Sequence, residues 1–258
     1  MMIDLNADLA EGYGPWPMGN DKALLDVLSS ANLACGFHAG DPLIMQRTVQ
    51  LARARGVDIG AHVGFPDRQG FGRRVMHIDL PELAAMVTYQ LGALYGICRT
   101  LGGRMTHMSF HGALGNMISA DKAMAAALVR AVASFDPELI LLTSASPAME
   151  AAAESCGLRV ATTFLADRAY DDDGLLVSRK IEGSAIHEPE RVLERVDRVL
   201  RAGEIVTHSG RILATQPASI LLHGDTEGAV ELARQIRTLV EASGAEIVPI
   251  SRQLKLKG

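Results

Sequence analysis

No run of apolar residues in this sequence approaches the roughly 18 that a membrane-crossing helix needs. Its opening residues, Met1-Met2-Ile3-Asp4-Leu5-Asn6, carry no basic stretch leading into an apolar one. Neither a membrane span nor a secretory leader is expected, and the cytoplasm is the expected compartment. Cysteine is scarce. Cys35, Cys98 and Cys156 are odd in number, widely spaced and form no CxxC pair, so they read as free thiols rather than a zinc or redox motif. Aromatic residues make up only 4%, too few for an extended base-stacking surface, and no basic block offsets the formal net charge of -5. Nucleic acid is therefore excluded as a partner, and a small polar substrate fits better. Also missing are the GxxxxGK[ST] phosphate loop, the HExxH metal signature and the GxSxG nucleophile elbow.

What is present is alternation. Short apolar runs are separated by stretches of helical period, which argues for parallel strands covered by helices. Strands are expected at 2–6, 30–34, 57–61, 105–110, 138–142, 159–164, 219–222 and 246–249. Asp41 can cap a helix that has Pro42 at its first position, with Gly56 closing it. Val192, Leu193, Val196, Val199 and Leu200 form one apolar helical stripe, and Leu232, Ala233, Ile236, Leu239 and Val240 form another. With 258 residues, no internal repeat and no composition shift, the whole chain, 1–258, reads as one β/α-barrel domain. The least regular stretches, 62–79 and 168–189, are candidates for functional loops.

In a parallel barrel the active site forms where strands end and the following loops converge. Polar residues recur at those exits: Asn6 and Asp8 at the first, then His38, His62 and His111, then Asp167 and Arg168, then His223 and Asp225. A lone histidine in such a place is more often a hydrogen-bonded structural residue, but four of the eight histidines share the placement. His77, His107, His187 and His208 do not, and read as structural or surface residues. Asp4, Asn6 and Asp8 alternate with apolar neighbours, so a strand would put them on one face, toward a barrel interior. Asp8 and Glu11 suit a base and its acid partner with Asn6 orienting substrate, or else a capping or salt-bridge network. Asp8, His38, His62 and His111 are also acceptable ligand types for a divalent metal. Gly70-Phe71-Gly72-Arg73-Arg74 joins glycines to two guanidinium groups able to grip an anionic substrate, or to solvate a surface loop. Cys35, close to His38, fits a buried thiol better than a nucleophile.

Several blocks resemble the LamB/YcsF family: Asp4 to Gly12, Ser30 to Pro42, Ile59 to Asp67, Gly70 to Arg74, His111 to Leu114, Ala166 to Tyr170 and Leu222 to Asp225. The resemblance implies a distorted seven-stranded parallel β/α barrel, TIM-like and related to glycoside hydrolase and polysaccharide deacetylase barrels. An eighth candidate strand then belongs outside the ring. It also implies the role of the A subunit in a bacterial 5-oxoprolinase, opening a lactam to L-glutamate while ATP, handled largely by two partner subunits, is hydrolysed. The chain departs from the family pattern at the presumed mouth. Ser109 and Gly115 stand where the family usually has lysine and tyrosine, Thr163 where glutamate is common, Leu165 for phenylalanine and Val63 for proline. Two alternatives follow: a metal-dependent amidohydrolase or deacetylase acting without ATP, and a catalytically reduced ligand-binding subunit.

Overall fold

The computed structural model describes residues 1–254. In chain order its elements are β1 (Met2–Leu9), α1 (Asp21–Leu25), β2 (Ser30–Ala34), α2 (Pro42–Arg55), β3 (Asp58–Val63), α3 (Leu80–Thr100), β4 (Met105–Phe110), α4 (Gly112–Ala120), α5 (Lys122–Phe135), β5 (Ile140–Thr143), α6 (Pro147–Cys156), β6 (Arg159–Leu165), α7 (Pro189–Ala202), β7 (Glu204–Val206), β8 (Ile212–Ala214), β9 (Ser219–His223), α8 (Ala229–Ala242), β10 (Glu246–Ile247) and α9 (Ile250–Gln253). Strands β1 to β6 pair consecutively in parallel, β9 follows β6, and β9 pairs back with β1. The result is a closed seven-stranded parallel barrel. As expected for the extra strand, β10 pairs only with Met2 and Ile3, beside the ring. The β7–β8 hairpin was not foreseen; its strands are three residues each, too short to leave an alternating pattern.

The local signals explain most of the helices. Asp41 accepts from the backbone N–H groups of Leu43 and Ile44 at 2.8 and 3.0 Å, Pro42 opens α2, and Gly56 closes it at φ 69°. Val192, Val196 and Val199 of α7 and Ala233, Ile236 and Val240 of α8 are buried against the outside of the barrel, as their spacing predicts. On β1 the apolar set Ile3, Leu5, Ala7 and Leu9 joins that outer core. Among the described residues, no helix is long and apolar enough to cross a membrane.

The other face of β1 is polar and lines the interior. Asn6 donates to Asn32 at 3.3 Å, Asn32 donates to Asp8 at 2.9 Å, and His107 Nε2 lies 3.1 Å from the same Asn32 oxygen. His107 is thus a structural histidine inside the barrel, and burial lowers its pKa to about 4, so it is neutral. It packs against Gly60, where any side chain would occupy the imidazole's space. Below this ladder, Asp4 accepts from the hydroxyls of Ser29, Ser30 and Ser219 at 2.6–2.7 Å. Apolar residues on the far side, Ile140, Leu142 and Ala161, meet Ile250 of α9, which closes the floor.

Burial raises the Asp4 pKa to about 6 despite its three hydroxyl partners. In the native state it therefore holds its proton between about pH 4 and pH 6, where the unfolded chain has lost it. Stability from this group is present below that window and falls as pH rises through it, by on the order of 3 kcal/mol. Asp4→Asn is expected to remove that component. Urea unfolding of wild type and variant at pH 4 and pH 7 checks it; an unchanged pH dependence in the variant contradicts the assignment.

Candidate active site

Every strand of the ring ends at the same mouth, so the residues just past those ends are brought together although they are far apart in sequence. Beyond β1 the backbone turns at Ala10, which takes φ 60°, and its N–H is held by Asp21 at 3.0 Å. This turn sets Glu11 over the barrel, where Glu11 Oε1 lies 3.3 Å from His38 Nε2 and 3.6 Å from His111 Nδ1. His62, the penultimate residue of β3, places Nε2 2.9 Å from His111 Nδ1 and 3.4 Å from Asp8 Oδ2. Its Nδ1 lies 2.7 Å from Ser109 Oγ. His38 and His111 stack with ring centroids 3.8 Å apart.

The stacked pair explains the glycine-rich loop. A Cβ at Gly64 would fall 2.6 Å from His38 Nδ1, and one at Gly72 would fall 2.7 Å from His38 Cβ and 2.8 Å from His111 Cδ2. Between them Phe71 takes φ 53°, an uncommon conformation for a non-glycine residue. In that conformation its carbonyl accepts from His111 Nε2 at 2.7 Å, and its ring lies edge-on to both histidines. The segment read as an anion grip therefore first serves to seat imidazoles. Of its two arginines, Arg73 lines the mouth and donates to Asp225 at 2.9 Å. Arg74 instead points to solvent and pairs with Asp67, holding the loop.

Charge is divided unevenly across the cluster. Burial opposes ionisation of Asp8, but the His62 imidazole and the Asn32 amide outweigh it and hold the carboxyl well below its usual range. Glu11 goes the other way, raised well above the ordinary value by burial and by the Asp8 and Asp225 carboxylates. Burial and neighbouring imidazoles keep His38 and His111 well below theirs, so both are neutral. Burial drives the Cys35 thiol up to about 12, which rules it out as a nucleophile.

A second constellation sits across the mouth. Asp167, just past β6, accepts from His223 Nδ1 at 2.8 Å and from the His223 backbone N–H at 3.2 Å. Burial works against the ion pair, yet each partner favours the charged form of the other, lowering Asp167 and raising His223. Arg168 does not reach outward with a free head: it donates to the carbonyls of Ser184 at 3.0 Å and Val177 at 2.6 Å, pinning the irregular stretch 168–187 over the barrel.

Asp8, His62, His111 and His223 all line one cavity of ≈ 550 Å³, with Ser109, Thr163 and the apolar Leu142, Met149 and Leu165. Glu11 and His38 stand behind that wall, and Asn6 lies deeper in the barrel. Ser109 and Thr163, where the family resemblance implies a lysine and a glutamate, face the same cavity. Arg179, Asn116 and Ser144 also line the cavity. Sequence reading missed them, because Arg179 and Ser144 lie on loops and Asn116 in the middle of α4, where no motif marks them.

Glu11, His38, His62 and His111 offer four ligand atoms within 4.8 Å of one another, a group that can hold a metal ion. Asp8 was the expected acid in this set; it is engaged by Asn32, and Glu11 takes the place. Three of the six donor separations, 2.9, 3.3 and 3.6 Å, bracket the spacing of about 3.3 Å between ligands at 2.0–2.1 Å around a tetrahedral ion. His38 Nδ1 is buried with no hydrogen-bond partner. Two glycine substitutions test the seating of the cluster: Gly64→Ala and Gly72→Ala are expected to lower zinc affinity in calorimetric titration at least tenfold. Zinc binding equal to wild type in both folded variants would show that the glycines do not set the geometry.

Comparison with known proteins places this geometry among relatives. The chain is 64% identical over 254 residues to a 5-oxoprolinase A subunit of Ralstonia nicotianae, covering 98% of each. A crystal structure of the lactam utilization protein from Thermus thermophilus superposes with a TM-score of 0.89 at 39% identity, covering 96% of this chain and 99% of that one. A peptidoglycan deacetylase of Bacillus subtilis, at 13% identity, covers 99% of this chain and 91% of its own with a TM-score of 0.50. A β-1,4-mannanase, at 10%, covers 94% and 100% with 0.51. These last two share the barrel fold alone. The LamB/YcsF family model matches residues 3–255, and the chain belongs to the LamB/YcsF family.

Proposed function

We propose that this chain is the A subunit of an ATP-dependent 5-oxoprolinase, a hydrolase that opens the lactam of 5-oxo-L-proline to L-glutamate. What carries the reading is the ionised Asp8 beside His62 in the wall of a small-molecule cavity, in a chain 64% identical to a protein named for that activity. Lactam opening needs a proton taken from the attacking water and a proton given to the departing nitrogen. Asp8 holds the negative charge that makes His62 a base, and Ser109 fixes the ring from the other side. His62 Nε2 carries the proton shared with Asp8 and His111, so its lone pair is on Nδ1 beside the Ser109 hydroxyl; the water's proton reaches the ring through that hydroxyl and returns to the nitrogen by the same route. His111 orients His62 at 2.9 Å and is itself held by the Phe71 carbonyl.

ATP supplies the driving force by phosphorylating the amide oxygen: water adds to the activated carbon, the C–N bond breaks with the nitrogen leaving protonated, and a second water releases phosphate from the acyl phosphate that remains. No phosphate-loop motif is present in this chain, and we assign nucleotide handling to two partner subunits, in keeping with relatives whose names make them one lettered component of the enzyme. An ATP-consuming reaction of this kind belongs in the cytoplasm, where free Cys35, Cys98 and Cys156 stay reduced.

A second reading rests on the ligand set of Glu11, His38, His62 and His111. A divalent cation held there would supply Lewis acidity toward the amide oxygen, leaving Asp8 as the base. Elemental analysis of chelator-free protein separates the two: one bound metal per chain and turnover without ATP favour the second.

With both partners present and each omitted in turn as a control, glutamate formation from 5-oxoproline and ATP is expected to require this chain. Asp8→Asn and His62→Gln are each expected to lower kcat by about 10²–10⁴ with little change in KM or in melting temperature. Turnover within threefold of wild type in either variant would remove that residue from the chemistry.

A further inference from the structure

The cations around the mouth are nearly all engaged. Arg73 pairs with Asp225 at 2.9 Å, Arg74 with Asp67, and Arg168 with the carbonyls of Ser184 and Val177. Arg195 is likewise turned inward, donating to the carbonyls of Ala166 at 3.2 Å and Arg168 at 2.6 Å. Arg179 and the neighbouring Lys180, which lines the same cavity, are the exceptions. Among the described residues neither has a carboxylate within salt-bridge distance, and of the two only Arg179 reaches a ring at the mouth: its Nη2 lies 3.2 Å from His223 Nε2.

That contact is matched only while His223 is neutral. Asp167 grips His223 Nδ1 with both carboxylate oxygens, at 2.8 and 2.9 Å, so Nδ1 carries the proton and Nε2 faces the mouth. Arg179 supplies only donors. When the imidazole takes its second proton, which Asp167 favours, two cationic donors face each other with no acceptor between them. A two-oxygen anion satisfies both. The position is also the right one, because Arg179 and His223 line two cavities at once: the ≈ 550 Å³ cavity holding Asp8 and His62, and a second of ≈ 570 Å³ that opens past Asp225 and His187.

We propose that Arg179 and His223 form the subsite that holds the anionic group of the substrate, its planar guanidinium and the Nε2 proton each donating to one oxygen. The same chemistry can come from the carboxylate of 5-oxoproline or from a phosphoryl group on its activated form. Arg179 sits on the stretch 168–187 that Arg168 pins over the mouth, so its guanidinium is held beside His223 before a ligand arrives. The substrate assignment rests on the lactam reading given above; the anion subsite itself does not.

Calorimetric titration of the whole chain with 5-oxoproline, with 2-pyrrolidinone (the same ring without a carboxylate) and with inorganic phosphate tests the subsite without turnover. For wild type, binding of at least one of the two anions is expected. Arg179→Gln should weaken it tenfold or more, Arg179→Lys less, and neither should change 2-pyrrolidinone binding. Loss confined to 5-oxoproline identifies the carboxylate, and loss confined to phosphate identifies the phosphoryl group. With partners present, the carboxylate case predicts a raised KM for 5-oxoproline at nearly constant kcat in Arg179→Gln. Wild type that binds neither anion, or Arg179→Gln that binds both as wild type does, overturns the subsite. Anion binding that depends on Arg179 in a protein that forms no glutamate would leave the subsite standing and remove the lactam reading instead.

Discussion

Closure of the ring through β1 is the constraint on which the rest depends. Because β1 pairs with β2 on one edge and β9 on the other, one face of it is sealed inside the barrel. Asp4, Asn6 and Asp8 occupy that face, and buried polar groups must be satisfied or they cost more than they contribute. The hydroxyls of Ser29, Ser30 and Ser219, the amide of Asn32 and the ring of His107 supply the partners. Any slip in strand register would strand several of them at once, so this interior ladder fixes the alignment of β1, β2, β4 and β9 together.

The ladder is also a support for the site above it. Asn32 holds one oxygen of Asp8 and leaves the other toward His62, so the position of this carboxylate in the cavity wall is set by a residue that does not line the cavity. The same pattern repeats on the loop side. Asp67 holds the 67–74 turn, the strained Phe71 presents its carbonyl to His111, and two glycines leave room for the His38–His111 stack. The site is thus tightly seated on one side, by β1 to β4. On the other side it is bordered by the Asp167–His223 pair and the stretch pinned by Arg168.

Two carboxylates in this mouth are driven in opposite directions by their surroundings. Asp8 has hydrogen-bond donors that favour its ionised form, whereas burial beside other carboxylates favours the protonated form of Glu11. Two acids three residues apart are thus driven apart by their surroundings alone. Ser109 and Thr163 add no charge to the cavity wall that Asp8 and His62 share.

Much of this was written in the order of residues. Alternating apolar runs gave parallel strands in nearly the right places, the Asp41-Pro42 start and Gly56 stop bounded α2, and polar residues at strand exits marked Asp8, His38, His62, His111 and His223 as one group. Periodicity is a local property, and strand exits in a parallel barrel share one mouth whatever the distances between them. Sequence could not tell which acid joins the histidines, because Asp8 and Glu11 are three residues apart and only the turn at Ala10 and the reach of Asn32 separate their roles. Nor could it distinguish Arg74, spent on Asp67, from Arg179, left facing His223. Which cation is engaged depends on partners brought together by barrel closure, 152 residues apart for Arg73 and Asp225, and that pairing is decided only in the folded chain.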